Sequence, residues 1–445
     1  MDFSTNSRST VIVYLGLVLT FTIVFIQAEE VTNLSTLRQV QIIFRHGART
    51  IDKTYPLDPY KDESFWPPGF HQLTNLGKLQ GYNLGLYLRD RYNGFINDTY
   101  DVKDVYVQSS DIARAIQTAY SVMAGFYLPN DIKNENETST DLSSNLTEIP
   151  LPWKSVPVHT VPVETDNVLR QDPGICPRYK QLLKEFTQDS DMAKKLKEEN
   201  KDLFEYFSNN TGLNITSPIQ FDEFYDALVI ENYYNMTLPE WTNSVYGTEK
   251  VTNIALFYFQ FLTYTYEMKR LRTGPLLSKL VGNMNKTRES AAGLEISESE
   301  KMYFFSGHDH CISGVLDTLQ MYDKKRPPFA SALLLELHQE QDSQEFYIEI
   351  YYRNDTDQDA YRMSIPNCKE PCSLTEFSKL LDPFIPTDWS QECQLPSEEE
   401  SFPTGWIILS IAALWILLFI LLQCWLRSEC CTRRRKFQDL YSQLT

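Results

Sequence analysis

Positive charge is scarce in this chain. Lys and Arg number 41 against 59 Asp and Glu, which leaves −18 at pH 7. A phosphate backbone needs a basic footprint, so nucleic acid is excluded as a partner. Internal repeats are absent, which removes solenoid architectures. Hydrophobic content is ordinary at 42% of 445 residues, so a sizeable core can form, as one large domain or two smaller ones. An acidic surface also suits work at low pH, where part of the charge is neutralised.

Two long apolar runs frame the chain. Val11 to Ile26 follows Arg8 and precedes Gln27-Ala28-Glu29, the layout of a signal peptide over residues 1–28. An uncleaved anchor is the alternative. Trp406 to Leu426, within a predicted transmembrane helix over 405–426, is long enough to cross a bilayer core and has Trp406 and Trp425 at its edges. Arg427, Arg433, Arg434, Arg435 and Lys436 follow it and place the tail, 427–445, on the cytoplasmic side. A single-pass type I protein results, with residues 29–402 lumenal or extracellular. Asn-x-Ser/Thr sequons at Asn33, Asn97, Asn136, Asn145, Asn209, Asn214, Asn235, Asn285 and Asn354 all lie on that side. Cys176, Cys311, Cys368, Cys372 and Cys393 lie there too, where disulfides persist. Cys424, Cys430 and Cys431 sit at the cytoplasmic end as free thiols or palmitoylation sites.

Between these frames the stretch Asn130 to Glu148 is polar and loop-like, and Gln181 to Glu240 has helical spacing, either a cap over a site or a solvated helical face. Three short apolar runs share one pattern. Val40 to Phe44 leads into Arg45-His46-Gly47, Asp104 to Gln108 into Ser109-Ser110-Asp111, and Met302 to Phe305 into Ser306-Gly307-His308-Asp309. Each is predicted as a buried strand ending in polar residues. Helical stripes follow the second (Ile112, Ile116, Ala119, Tyr120, Met123, capped by Ser110 or Asp111) and the third (Ile312, Val315, Leu316, Leu319). Strand then helix, repeated, predicts an α/β fold with a mostly parallel sheet. Ligands in such folds bind beyond the carboxyl ends of the strands, where all three polar clusters fall.

The clusters carry the chemistry. His46 lies between Arg45 and Arg49, whose charge disfavours imidazolium and keeps the ring neutral and nucleophilic in acid. The same guanidiniums can grip phosphate oxygens, and Gly47 would let backbone approach a ligand. A satisfied surface histidine in a basic turn is the alternative. Arg114, one turn into its helix, can add a third guanidinium or simply be solvated. His308 can donate to a phosphate oxygen, and Asp309 can protonate a leaving alkoxide if it carries a proton. A zinc site from His46, His308, Asp309 and His310 is opposed by the arginines, which would repel a cation.

Arg45-His46-Gly47-Ala48-Arg49-Thr50 with a distant His308-Asp309 resembles the histidine acid phosphatases. Trp66 to Gly77, Leu84-Gly85, Arg89 to Tyr92, Ser109 to Asp111 with Arg114, Cys176 to Tyr179, Thr273 to Leu276 and Tyr351 to Asn354 extend the likeness over most of residues 37 to 395. The resemblance implies that His46 attacks phosphorus and becomes phosphohistidine. It implies that Arg45, Arg49, Arg114 and His308 bind the phosphate and that Asp309 is the acid. No cofactor or metal is implied, tartrate should inhibit, and chelators should not. The fold implied is an α/β domain with helices on both sheet faces plus a smaller, mainly helical inserted domain, placed within about 127–245. The family's segments suggest a Cys176–Cys393 disulfide. Cys368 and Cys372 are close enough to close a small loop, which leaves Cys311 as a buried small residue. Ile51 stands where many members have proline, and Ala115 where threonine is common.

Substrates are expected to be small-molecule or protein phosphomonoesters. The rivals are an inositol polyphosphate phosphatase or phytase-like enzyme, disfavoured by the absence of further basic residues beside the motifs, and a catalytically inactive receptor-like protein on the same fold. The tail offers Tyr441-Ser-Gln-Leu444, which resembles signals read by clathrin adaptors. With it the expected address is lysosomal or endosomal membrane, or the cell surface. A homodimer is kept as a further partner state.

Overall fold

The computed structural model describes residues 33–127, 155–294, 299–396 and 404–442. The signal segment, Asn136, Asn145 and Leu444 lie outside them. Two compact units emerge, Met1–Cys393 and Gln394–Thr445.

In the first unit the strands are β1 (Leu37–Arg45), β2 (Val105–Ser110), β3 (His159–Val161), β4 (Met302–Gly307), β5 (Ala332–Gln339), β6 (Phe346–Arg353), β7 (Tyr361–Met363) and β8 (Cys372–Ser373). The helices are α1 (Asn75–Arg91), α2 (Ala113–Phe126), α3 (Pro177–Asp189), α4 (Asp191–Glu199), α5 (Lys201–Thr211), α6 (Pro218–Tyr233), α7 (Glu249–Phe261), α8 (Tyr266–Arg272), α9 (Gly274–Ala291), α10 (Asp309–Thr318), α11 (Leu374–Leu381) and α12 (Trp389–Glu392). The sheet order is β3-β2-β4-β1-β5-β6-β7, with β8 also on β6. The expected α/β class holds. Parallel pairing is confined to β3-β2-β4-β1; from β5 onward every pair is antiparallel. For β5-β6 and β6-β7 the reason is connection length: short segments join these strands, and only crossovers of a dozen or more residues return a chain parallel.

Side chains alternate across the sheet and build two cores. Ile43, Tyr303, Phe305, Leu333 and Leu335 meet Leu276, Leu280 and Met284 of α9 and Ile312, Val315 and Leu316 of α10. Val40, Ile42, Phe44, Met302 and Phe304 meet Leu84 and Leu88 of α1 and Val122, Met123 and Phe126 of α2. Helices therefore cover both faces. Gln39 and Gln41, polar in a buried strand, donate their side-chain amides to the Asn283 and Leu280 carbonyls of α9. A third core joins Ile51, Tyr55 and Trp66, after β1, to Phe204, Phe207, Phe221, Phe224, Val251 and Ile254 of α5, α6 and α7. The helical layer thus runs on to Phe261.

Cys176–Cys393 and Cys368–Cys372 are disulfides, and Cys311 is buried as a free thiol. Asn33, Asn97, Asn209, Asn214 and Asn235 are exposed, and Asn285 and Asn354 are half-buried.

The second unit is one helix, α13 (Thr404–Ser442). Its segment Leu409–Arg435 is long and apolar enough to cross a membrane, with a mean hydropathy of 2.4 in its most apolar stretch. The helix continues through Tyr441, so that residue stands in a final helical turn rather than in a flexible tail.

Candidate active site

Register brings the three polar clusters together. Arg45 lies opposite Gly307 and Ser109 opposite Ser306, so β1, β4 and β2 end on one edge. His46 leaves β1 with its amide bonded to the Gly307 carbonyl at 3.0 Å. Gly47 is needed here for packing, not for ligand approach: a Cβ on it would lie 2.2 Å from the Gly77 carbonyl oxygen of α1. Gly77 faces the same constraint, with its Cβ position 2.2 Å from the Ala48 carbonyl oxygen. The loop after β1 is thereby wedged against a helix start, where Thr74 caps Gly77.

The His46 ring has a defined tautomer. Nδ1 is 2.8 Å from the Gly47 carbonyl, which only accepts, so Nδ1 carries the proton. Nε2 then holds a lone pair, and Arg114 Nε donates to it at 3.2 Å. Burial, then Arg114 and Arg45, hold the His46 pKa well below its usual value. The ring is neutral in acid, as a nucleophile must be.

His308 ends β4. Its ring sits 5.5 Å from that of His46, and its Nε2 pairs with Ser110 Oγ at 3.0 Å. Ser110 therefore orients a histidine. It does not cap α2, whose N-cap is Ile112 with no side-chain bond. His310 stacks on His308 and turns its Nε2 to the Arg170 carbonyl.

Asp309 opens α10, where the helix dipole favours its ionised form. Its Oδ2 is 3.0 Å from Arg45 Nη2 and 3.1 Å from Arg326 Nε. Burial would raise its pKa, but Arg45 and Arg326 outweigh that and bring it well below the usual range. Arg45 also donates to the Pro327 carbonyl at 2.6 Å and stacks 4.1 Å over Phe329. Arg49 is gripped by Asp226 of α6 at 3.0 Å and by Asp52 at 3.1 Å.

All six side chains singled out in the sequence, Arg45, His46, Arg49, Arg114, His308 and Asp309, thus border one site. Sequence reasoning missed Asp226, Asp52, Arg326 and Arg170. Arg326 and Arg170 also correct the expectation that no further basic residues stand beside the motifs: they reach it from distant segments, and Arg170 acts on Arg114 and His308 through space. Among the described residues one trio has metal-ligand spacing, Glu336, His338 and Glu349. Glu336 pairs with Val40, at the far end of β1 from Arg45, and its carboxylate already takes Arg91 and Tyr92.

Arginines around a neutral, lone-pair-bearing imidazole, with a carboxyl beside them, suit attack on a phosphate monoester. Comparisons agree. Human lysosomal acid phosphatase is 34% identical over 397 residues, spanning 88% of this chain and 87% of that protein. Bovine prostatic acid phosphatase is 34% identical over 362 residues, 81% of this chain and 88% of that one. The phytase of Citrobacter braakii shares the fold with a TM-score of 0.57 at 16% identity, over 81% of this chain and 100% of the phytase. The model of the histidine phosphatase superfamily (branch 2) matches residues 36–353. The chain belongs to that superfamily, and it is an acid phosphatase acting on phosphate monoesters.

Proposed function

We propose that His46 Nε2 is the atom that attacks phosphorus, on the strength of the tautomer imposed by the Gly47 carbonyl. Its lone pair forms the N–P bond as the P–O ester bond breaks. Arg45, Arg49, Arg114 and His308 hold the phosphoryl oxygens, where negative charge builds. Nδ1–H keeps its bond to the Gly47 carbonyl and so shares the positive charge that phosphorylation leaves on the ring. Asp309 gives its proton to the departing alkoxide. Water then attacks the phosphohistidine, passes a proton to Asp309, and releases phosphate with His46 neutral again. A phosphate that draws Arg45 away from Asp309 removes one of the two cations keeping that carboxyl ionised. Its own negative charge raises the proton affinity of Asp309 further. Acid conditions then supply the proton.

The test is direct. His46→Ala should abolish phosphate release at pH 5 and the trapped phosphoenzyme. Near-normal turnover in that variant refutes the mechanism. Convergence of all six side chains counts against an inactive receptor. The carboxylates on Arg326 count against an open pocket for polyphosphates.

The same reading takes residues 1–28 as a signal peptide, 29–402 as the lumenal or extracellular enzyme with its helical cap, and 405–426 as a type I span. The sequons are sugar sites, and the address is lysosomal or endosomal membrane or the cell surface, in keeping with a lysosomal relative. Tyr441 and Leu444 would be the two anchors for a clathrin adaptor, and Tyr441 would reach it only after the helical turn that ends at Ser442 unwinds, since such adaptors take extended peptide. A homodimer belongs to this reading as well.

A further inference from the structure

Arg326 has no role in the mechanism above, yet its guanidinium joins two parts of the site. Nη1 lies 2.9 Å from Asp226 Oδ1, and Nε lies 3.1 Å from Asp309 Oδ2. Arg45 shares that Asp309 oxygen. The two arginines are differently tethered. Arg45 is sealed beside His46, on the phosphate side. Arg326 comes from the segment between α10 and β5, is partly exposed, and is anchored by Asp226, which is itself bound to Arg49. A phosphoryl group at His46 competes for Arg45. It leaves Arg326 in place.

We propose that Arg326 is the positioning residue for the proton donor: it keeps the Asp309 carboxyl in place while Arg45 serves the phosphate, and it sets the pH above which Asp309 no longer carries a proton. The proposal rests on Asp309 being that donor.

The charged groups facing Asp309 give the sign. Arg45 comes from β1, His46 from the loop after it, and Arg114 from α2. Asp222 comes from α6, and His310 lies on α10 itself. With Arg45 engaged by phosphate, Arg326 is the remaining guanidinium in contact with the carboxyl. An opposite charge at this range lowers a carboxyl by about 1–3 pH units. Removing Arg326 also leaves Asp226 with one guanidinium fewer beside the site, which acts in the same direction. Asp309 then holds its proton to higher pH.

The experiment measures kcat against pH at saturating substrate, which reports groups in the substrate-bound enzyme where Arg45 is engaged, for the full chain in detergent, with an alkyl phosphate, whose leaving group needs protonation, and a nitrophenyl phosphate, which needs it far less. Arg326→Gln should move the alkaline limb for the alkyl phosphate upward by about one pH unit relative to native. The nitrophenyl limb should move less, and Arg326→Lys should restore the native limb. Asp226→Asn, which leaves Arg326 to Asp309 alone, should move the limb down. An unmoved or lowered limb in Arg326→Gln, or an upward shift in Asp226→Asn, overturns the proposal. Asp309→Asn is measured alongside. If it fails to discriminate between the two leaving groups, the donor assignment falls and the proposal with it. If it discriminates and Arg326→Gln leaves the limb in place, the proposal alone falls.

Discussion

Glu231 of α6 and Asp58 of the loop after β1 are buried to 0% and 2% exposure and face each other. Apart from each other, the Glu231 carboxyl and Asp58 Oδ2 have no hydrogen-bond partner among the described residues, nor does the Tyr55 hydroxyl. Two such carboxylates cannot both ionise; one shared proton turns repulsion into a hydrogen bond. Burial, then Asp58, raises the Glu231 pKa from 4.5 to about 8. A carboxyl whose folded pKa is raised contributes stability that is complete below its unfolded value and is lost as pH climbs through the folded one. The window therefore runs from 4.5 to about 8. At about 1.4 kcal/mol per pH unit the interval is worth roughly 5 kcal/mol at most, and relaxation and water entry reduce it to on the order of 2–3 kcal/mol. Glu231→Gln is the perturbation, because an amide donates permanently to Asp58. Thermal unfolding of the full chain in detergent, from pH 4.5 to 8.5, reads it. The native protein should lose several degrees of Tm between pH 5 and 8. The variant should match it at pH 5 and exceed it at pH 8. Parallel Tm curves would refute the shared proton. α6 also carries Asp226 and the Asp58 loop also carries Asp52, so loosening this contact at neutral pH should weaken the grip on Arg49 as well.

Other outcomes follow from the same geometry. Gly77→Ala drives a Cβ into the Ala48 carbonyl, at a separation of 2.2 Å; the shifted loop should lower kcat by about 10–100-fold with the fold retained by circular dichroism. Asp309→Ala should lose most activity on substrates with poor leaving groups, measured as a steeper dependence of kcat/KM on leaving-group pKa. Cys176→Ser should destabilise by roughly 3–5 kcal/mol, because its bridge closes a separation of 217 residues; denaturant titration checks it. Tartrate, a dicarboxylate suited to the arginine cluster, should inhibit competitively, whereas chelators should leave the rate unchanged in a direct assay.

The parts of the site legible in the sequence are those adjoining strand ends. A short buried strand followed by a charged residue aims that residue at the sheet edge, so Arg45, His46, His308 and Asp309 could be placed with no knowledge of the rest. Arg114 follows from one helical turn. Asp226 and Arg326 leave no such trace: one sits in a helix buried on most of its faces and the other in a loop, and only the approach of α6 to the sheet edge makes them partners. Gly47 and Gly77 were equally opaque, because their requirement is mutual and lies in contact between a loop and a helix start. Ser110 shows the opposite error. Its position before a helix is that of a cap, but the neighbouring strand delivers His308 to its hydroxyl, and a buried imidazole left unpaired would cost more than an uncapped helix end.

These unseen partners account for how so many arginines are held in one buried place. Arg49, Arg45 and Arg326 are each matched to a carboxylate, in the order Asp52, Arg49, Asp226, Arg326, Asp309, Arg45. Alternation of sign keeps every guanidinium ionised and aimed while the site is at rest. Burial otherwise disfavours a charge, as the lowered pKa values of Arg45 and Arg114 show. Arg114 is the exception in the set: its nearest carboxylate, Asp52, stands 3.9 Å away, and its close contact is with His46 itself. It is the guanidinium whose charge is least compensated, and it lies beside His46 Nε2, the nitrogen proposed to attack. A phosphate arriving there completes the pairing that the carboxylates have left open.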